Sequence, residues 1–140
     1  MGRNELVHRY VKEFSQRLSL EEYYITVEWN NRKGLDDFVG WPGDEPYEHR
    51  AATFVNTTTH TAIIMFNDDV DWENQQGDDT LSFITAHEMA HVFTAGTGLD
   101  DILHQTHLRL YEVGDLVSVH MERVYSSVEE LCSRIAKLII

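Results

Sequence analysis

The chain has 140 residues, 42% of them hydrophobic and 25% charged. That is enough for one compact domain, taken as residues 1–140, and it speaks against a disordered linker. With 11 Lys and Arg against 24 Asp and Glu the formal charge is −13, a surface that repels phosphate backbones and anionic membranes and so argues against a nucleic-acid or membrane partner.

In chain order, Leu6, Val7, Tyr10, Val11, Phe14 and Leu18 recur at helical spacing, which predicts an amphipathic helix over 4–19. Ile25, Val27 and Trp29 alternate with Thr26 and Glu28, the pattern of a half-buried strand. Residues 30–49 are rich in Gly, Asn and Asp and read as a long connection of the kind that is often functional. Two β-rich runs, 51–56 and 60–66, flank Thr57, Thr58 and Thr59 and predict a hairpin. Asp79 is placed to cap a helix over 80–95, ended by Gly96 and Gly98. Asp100 and Asp101 are placed to cap a following segment. Val117, Met121, Val124, Val128, Ile135 and Ile139 form one apolar stripe, predicting helix over 115–139 with a possible break at Ser126 and Ser127. The expected fold is α+β, with an N-terminal helix, a small three-stranded and mostly antiparallel sheet, and C-terminal helices.

No apolar run reaches the roughly 20 residues of a membrane span, and residues 1–10 lack the apolar stretch of a signal peptide. Cys132 is the single cysteine, so neither a disulfide framework nor a multi-cysteine metal site is available. The expected compartment is the cytoplasm. The carboxylates from Asp36 to Asp79 are opposed by Arg50 alone. They read first as a solvated face, and second as a cleft rim attracting basic partners or cations. Asp69, Asp71 and Glu73 alternate as in a calcium loop, yet Asn74 stands where that loop needs Gly and Thr80 where it needs Glu, so a calcium site is rejected.

The chemistry concentrates in residues 84–93, which contain His87-Glu88-x-x-His91. Four residues advance a helix by about one turn, so the two imidazoles lie on one face and can share one Zn²⁺. Glu88, next to His87, points beside the metal and is suited to accept a proton from activated water. Two surface histidines flanking a solvated Glu would need no metal. Here, however, every other residue from 84 to 93 is uncharged. A helix buried nearly all round has to account for its His, Glu and His, because unpaired buried polar groups are costly.

A zinc site of this kind needs a third protein ligand. On a helix through 128–139, with Val128 at zero, Cys132 falls at about 40°, Glu129 at about 100° and Glu130 at about 200°. Glu129 therefore flanks the buried stripe, whereas Glu130 faces solvent and can make a capping box with Ser127. His8, His49 and His60 lack partner spacing, and His120 reads as an ordinary helix residue. Tyr111, Tyr125 and the histidines not used as ligands are open candidates for an oxyanion stabiliser.

Residues 84–93 resemble the active-site helix of the zincin metallopeptidases, and the order of elements before them is similar to a minimal zincin. Thr94 and Thr97 stand where the metzincin motif has Gly and His, which excludes that subclass. Residues 127–136 resemble the later helix of the gluzincin and ImmA/IrrE-like pattern, with Ser133 in place of the characteristic Asn; the resemblance implies a Glu ligand from this helix, for which helical phase prefers Glu129, while Glu130, His104 and His107 remain alternatives. The small size is similar to that of phage and mobile-element metallopeptidases, for which the compartment would be the host cytoplasm. The resemblance implies a single Zn²⁺ per chain, a peptide or protein substrate held in extended form against the sheet, and hydrolysis with Glu88 as general base. Two alternatives stand beside it. One is a zincin-fold metal-binding or host-factor-binding protein without activity, and the other an SprT-like protease taking its third ligand from His104 or His107.

Overall fold

The computed structural model describes residues 2–40, 49–98 and 116–140, with side chains of the last helix from Val128 onward. The first helix, α1 (Arg3–Arg17), buries Val7, Val11 and Phe14, the i, i+4, i+7 face expected of its pattern. Strand β1 (Tyr24–Asn30) follows. The connection after it is partly helical: α2 (Arg32–Val39) begins at Asn31, whose side chain accepts from the Gly34 N–H, and ends at Gly40 in the left-handed region at φ 69°. Only Leu35 of this short helix is buried, so hydrophobic periodicity gave it little signal.

Strands β2 (Ala51–Asn56) and β3 (Thr61–Asn67) form the expected hairpin, with Ala51 opposite Phe66 and Asn56 opposite Thr61. The sheet order is β1-β3-β2, and β1 runs parallel to β3, Tyr24 beside Thr61 and Asn30 beside Asn67. The sheet is thus mixed, one parallel and one antiparallel pair, and the expectation of a mostly antiparallel sheet is corrected. The cause lies in β3. Its run Ala62-Ile63-Ile64-Met65-Phe66 is apolar on both faces, which favours the central position, where both edges are paired and both faces covered. Ala62, Ile64 and Phe66 join the main core, whereas Met65 packs with Leu35 of α2 and Ala52 of β2. The sheet therefore lies between α2 on one side and the main helical layer on the other.

After β3 the chain is turned by Trp72, whose indole N–H donates to the Asn67 carbonyl at 2.9 Å; its ring meets Phe66 and Trp29 with centroids 6.0 and 6.5 Å away. Helix α3 (Leu81–Gly96) is capped by Thr80, whose hydroxyl oxygen accepts from the Phe83 N–H at 3.3 Å. The cap is one residue beyond Asp79, which instead pairs with Arg50 at 3.2 Å. Helix α3 buries residues all round its axis, from Phe83 and Ala86 to Met89, Ala90 and Val92, as a central helix must. It packs against α1, β2 and the last helix, α4 (Leu116–Ile139).

Helix α4 is continuous through Ser126 and Ser127. The expected break is absent, and with it the capping box of Ser127 and Glu130, because a residue in mid-helix has no free N-terminal amides to cap. Glu130 is exposed and pairs with Arg134 one turn on at 2.7 Å. Among the described residues, no helix is long and apolar enough to cross a membrane. The suggested cap at Asp100 and Asp101 lies outside the described residues.

Candidate metal centre

Helix α3 and helix α4 meet at three converging side chains, His87, His91 and Glu129, whose ligand atoms all lie within 4.8 Å of one another. The histidines are one turn apart, and their Nε2 atoms stand 3.2 Å from each other. Glu129 reaches across from α4, with Oε2 2.9 Å from His87 Nε2 and Oε1 3.2 Å from His91 Nε2. Donors bound tetrahedrally at about 2.0–2.1 Å from one ion are about 3.3–3.4 Å apart. The observed spacings are close to that figure, and this group can hold a metal ion.

The far side of each ring fits the same conclusion. His87 Nδ1 is 3.1 Å from Ser133 Oγ, and His91 Nδ1 is 3.5 Å from Cys132 Sγ. A metal-binding imidazole engages its second nitrogen in this manner, which fixes the ring and directs the first nitrogen to the ion. Helix α4 thus supplies Glu129 to the centre and the outer partners of both histidines. Cys132 is fully buried and Ser133 half-buried.

Charge follows geometry. Burial by itself would lower the His91 pKa, but hydrogen bonds to Cys132 and Glu129 and the negative charge of Glu88 outweigh it and raise it to about 11. Burial would push the Glu129 carboxyl up, yet hydrogen bonds from His87 and His91, reinforced by their charge, hold it well below the usual carboxylate range. In the metal-free protein the carboxylate and a protonated imidazole therefore substitute for an ion with opposed charges of their own.

Glu88 is not among the converging groups. It is buried, 6% exposed, and one of its oxygens, Oε2, accepts a hydrogen bond from the Thr53 hydroxyl of β2. A cleft of about 280 Å³ opens beside it, lined by His87, Glu88 and Ser133 together with His49, Arg50, Ala51, Asp78, Phe83 and Ile84. His49 had no partner legible from its spacing, but the structure brings it to this cleft. Its carbonyl accepts from Asn67 Nδ2 at 2.8 Å, and its ring lies 3.6 Å from Asp36. Arg50 is tied down by Asp79 and by Gln75 at 2.8 Å. Of the acidic run, Asp78 reaches the cleft wall; Asp69 accepts from the Arg32 N–H at the start of α2 instead.

Among the alternative third ligands, Glu130 points away with its side chain 63% exposed, and His104 and His107 lie outside the described residues. Tyr111 and the side chains of His120 and Tyr125 also lie outside them. His60 stacks obliquely on Tyr23, centroids 5.2 Å apart, and His8 is exposed on α1. Thr53, Cys132 and Ser133 were absent from the sequence-based site. Each is 35–46 positions from its partner, and only the packing of β2 and α4 on α3 brings them together. No family model, no curated protein and no solved structure matches the chain.

Proposed function

We propose that the protein is a zinc-dependent peptidase of the minimal zincin type, with His87, His91 and Glu129 as ligands and Glu88 as general base. The observation that carries this reading is the convergence of both Nε2 atoms on one carboxylate while both Nδ1 atoms are engaged by α4. Two imidazoles and a carboxylate suit zinc better than magnesium or calcium, which prefer oxygen donors throughout. Three protein ligands leave one tetrahedral position open, as in catalytic rather than purely structural zinc sites.

When bound, Zn²⁺ supplies a Lewis acid that polarises a carbonyl and brings the pKa of water to about 7. The chain's own residues do the rest. Glu88 is outside the ligand set, next to His87, and its carboxylate borders the cleft, so it can take a proton from water and hand it to the departing amine. Strand β2 is a sheet edge among the described residues, and an extended peptide can add to it through backbone hydrogen bonds. A solely structural site would have no use for Glu88, a buried carboxylate that costs desolvation and takes no part in ligation.

The test is Glu88→Gln. Elemental analysis should find close to one zinc per chain in both proteins, while hydrolysis of fluorescein-labelled casein falls by about 10²–10⁴-fold in the variant, the usual contribution of a general base. Unaltered turnover in Glu88→Gln would overturn the assignment, and a wild-type protein that neither carries nor takes up zinc would overturn the whole reading.

A further inference from the structure

We propose that Thr53 is a positioning residue for Glu88: its hydroxyl, delivered from the sheet edge, fixes one carboxylate oxygen so that the other is left to the cleft. The role of Glu88 rests on the peptidase reading above; the part played by Thr53 rests on geometry.

The register of the hairpin decides where Thr53 points. The Asn67 N–H donates to the Arg50 carbonyl at 2.8 Å, and this pair continues the ladder in which Ala51 faces Phe66. Residues at alternate positions of an antiparallel pair use both backbone groups on the partner, and those between them turn both away. Arg50, Ala52, Phe54 and Asn56 therefore bond to β3, whereas Ala51, Thr53 and Val55 direct N–H and C=O away from it. The side chains alternate as well. Ala52 packs toward α2, while Ala51 and Val55 pack against the main core beneath α3. Thr53 lies between them and is the polar group that this face of β2 presents to α3.

Glu88 meets it there. A carboxylate 6% exposed needs donors, and Thr53 Oγ1 is the one it has among the described residues. The bond goes to Oε2; among the described residues Oε1 accepts none, and it belongs to a residue that lines the cleft. Threonine suits this task. Its branched Cβ makes χ1 stiff and favours strand backbone, so the hydroxyl is held in place at little further entropic cost. The same residue thus carries outward-facing backbone groups at the strand edge and the group that orients Glu88.

The test compares Thr53→Val, which keeps shape and strand preference but removes the hydroxyl, with Thr53→Ser, which keeps the hydroxyl. Three readouts are taken on the zinc-loaded chain: kcat and KM on fluorescein-labelled casein, zinc affinity by competition with a chromogenic chelator, and crystal structures of all three proteins. In Thr53→Val, kcat should fall about 10- to 100-fold, the cost of a reacting group misplaced by about 1 Å. KM and zinc affinity should stay within about twofold, and the Glu88 carboxylate should leave its position against β2. Thr53→Ser should recover most of kcat and the wild-type position. A wild-type kcat in Thr53→Val, or a Glu88 carboxylate unmoved in its crystal structure, overturns the inference. A loss of kcat that serine does not rescue overturns it too. Glu88→Gln, measured alongside, keeps the two readings apart: turnover surviving in that variant refutes the role of Glu88 as base. If wild type hydrolyses nothing, the peptidase reading fails and the crystal structures alone decide whether Thr53 holds Glu88.

Discussion

Replacing Glu129 by Gln would remove the proposed anionic ligand with almost no change in shape, and the structure sets how large the effect should be. In the metal-free protein its charge pairs with two imidazoles at 2.9 and 3.2 Å, but the side chain is 41% exposed. Solvent screening leaves that pairing worth about 1 kcal/mol or less. The apo variant should therefore melt close to wild type. With zinc the loss is far greater. Changes to groups one step removed from a metal cost about 10–100-fold in affinity, so losing a direct anionic ligand should exceed about 100-fold, or roughly 2.7 kcal/mol at 1.36 kcal/mol per decade. At a zinc concentration a hundred times the wild-type Kd, binding stabilises wild type by about 2.7 kcal/mol, which raises Tm by roughly 8–13 °C in a domain of this size. Under the same conditions the variant should gain only about 0.4 kcal/mol, or roughly 1–2 °C. Calorimetric scans with and without zinc, joined to chelator competition, measure both quantities. Glu130→Gln is the control: it loses only an exposed helical ion pair with Arg134, worth about 0.3–0.5 kcal/mol, and should bind zinc as wild type does. If Glu129→Gln binds zinc normally while His104→Ala or His107→Ala does not, the ligand assignment is wrong.

Zinc affinity should rise with pH. The pKa of His91 is raised to about 11 in the metal-free protein, so at neutral pH its proton must be expelled before the nitrogen can bind an ion. One proton released per ion means about tenfold tighter binding per pH unit, and titration calorimetry in buffers of different ionisation enthalpy reads the release directly; no buffer dependence would refute it. The sign for folding of the apo protein is the reverse. A folded pKa above the unfolded value stabilises most fully below about pH 6.5, and that contribution fades as pH climbs toward about 11. Ser133→Ala, which strips the partner from His87 Nδ1, should weaken zinc binding about 10–100-fold without touching a ligand, and chelator competition showing wild-type affinity would remove Ser133 from the site.

What could be read before the structure followed from local chemistry. Periodicity located α1, β1, the hairpin, α3 and α4 to within a few residues, because each buries one face or all faces in a regular pattern. Helical phase separated Glu129 from Glu130, whereas the capping box offered for Glu130 is not formed; the structure brings Glu129 to the histidines and leaves Glu130 exposed. Helix α2 escaped because Gly34 and two aspartates dilute its pattern and a single residue, Leu35, is fully buried. The parallel pairing of β1 with β3 escaped because strand order is fixed by packing between distant segments. For the same reason Thr53, Cys132 and His49 carried no signal as site residues: each acquires its role from a neighbour in space with no characteristic spacing in sequence. Ser133 stood out by resemblance, in place of an Asn, but nothing tied it to His87.

The unbroken course of α4 has a consequence for folding as well as for chemistry. An ion shared by α3 and Glu129, as proposed, would act as a cross-link between positions 42 apart in sequence. In an unfolded chain that closure carries an entropic penalty of roughly 4 kcal/mol on chain-entropy grounds, so denatured protein should compete poorly for the metal. The link is made near the middle of a helix whose far end is separately anchored, by Cys132, Ala136 and Ile139 in the core and by Arg17 of α1 donating to the Ile139 carbonyl. Loss of the ion should therefore loosen the α3–α4 junction before it releases the C-terminus, giving amide exchange that quickens from Glu129 backward while residues 132–139 stay protected.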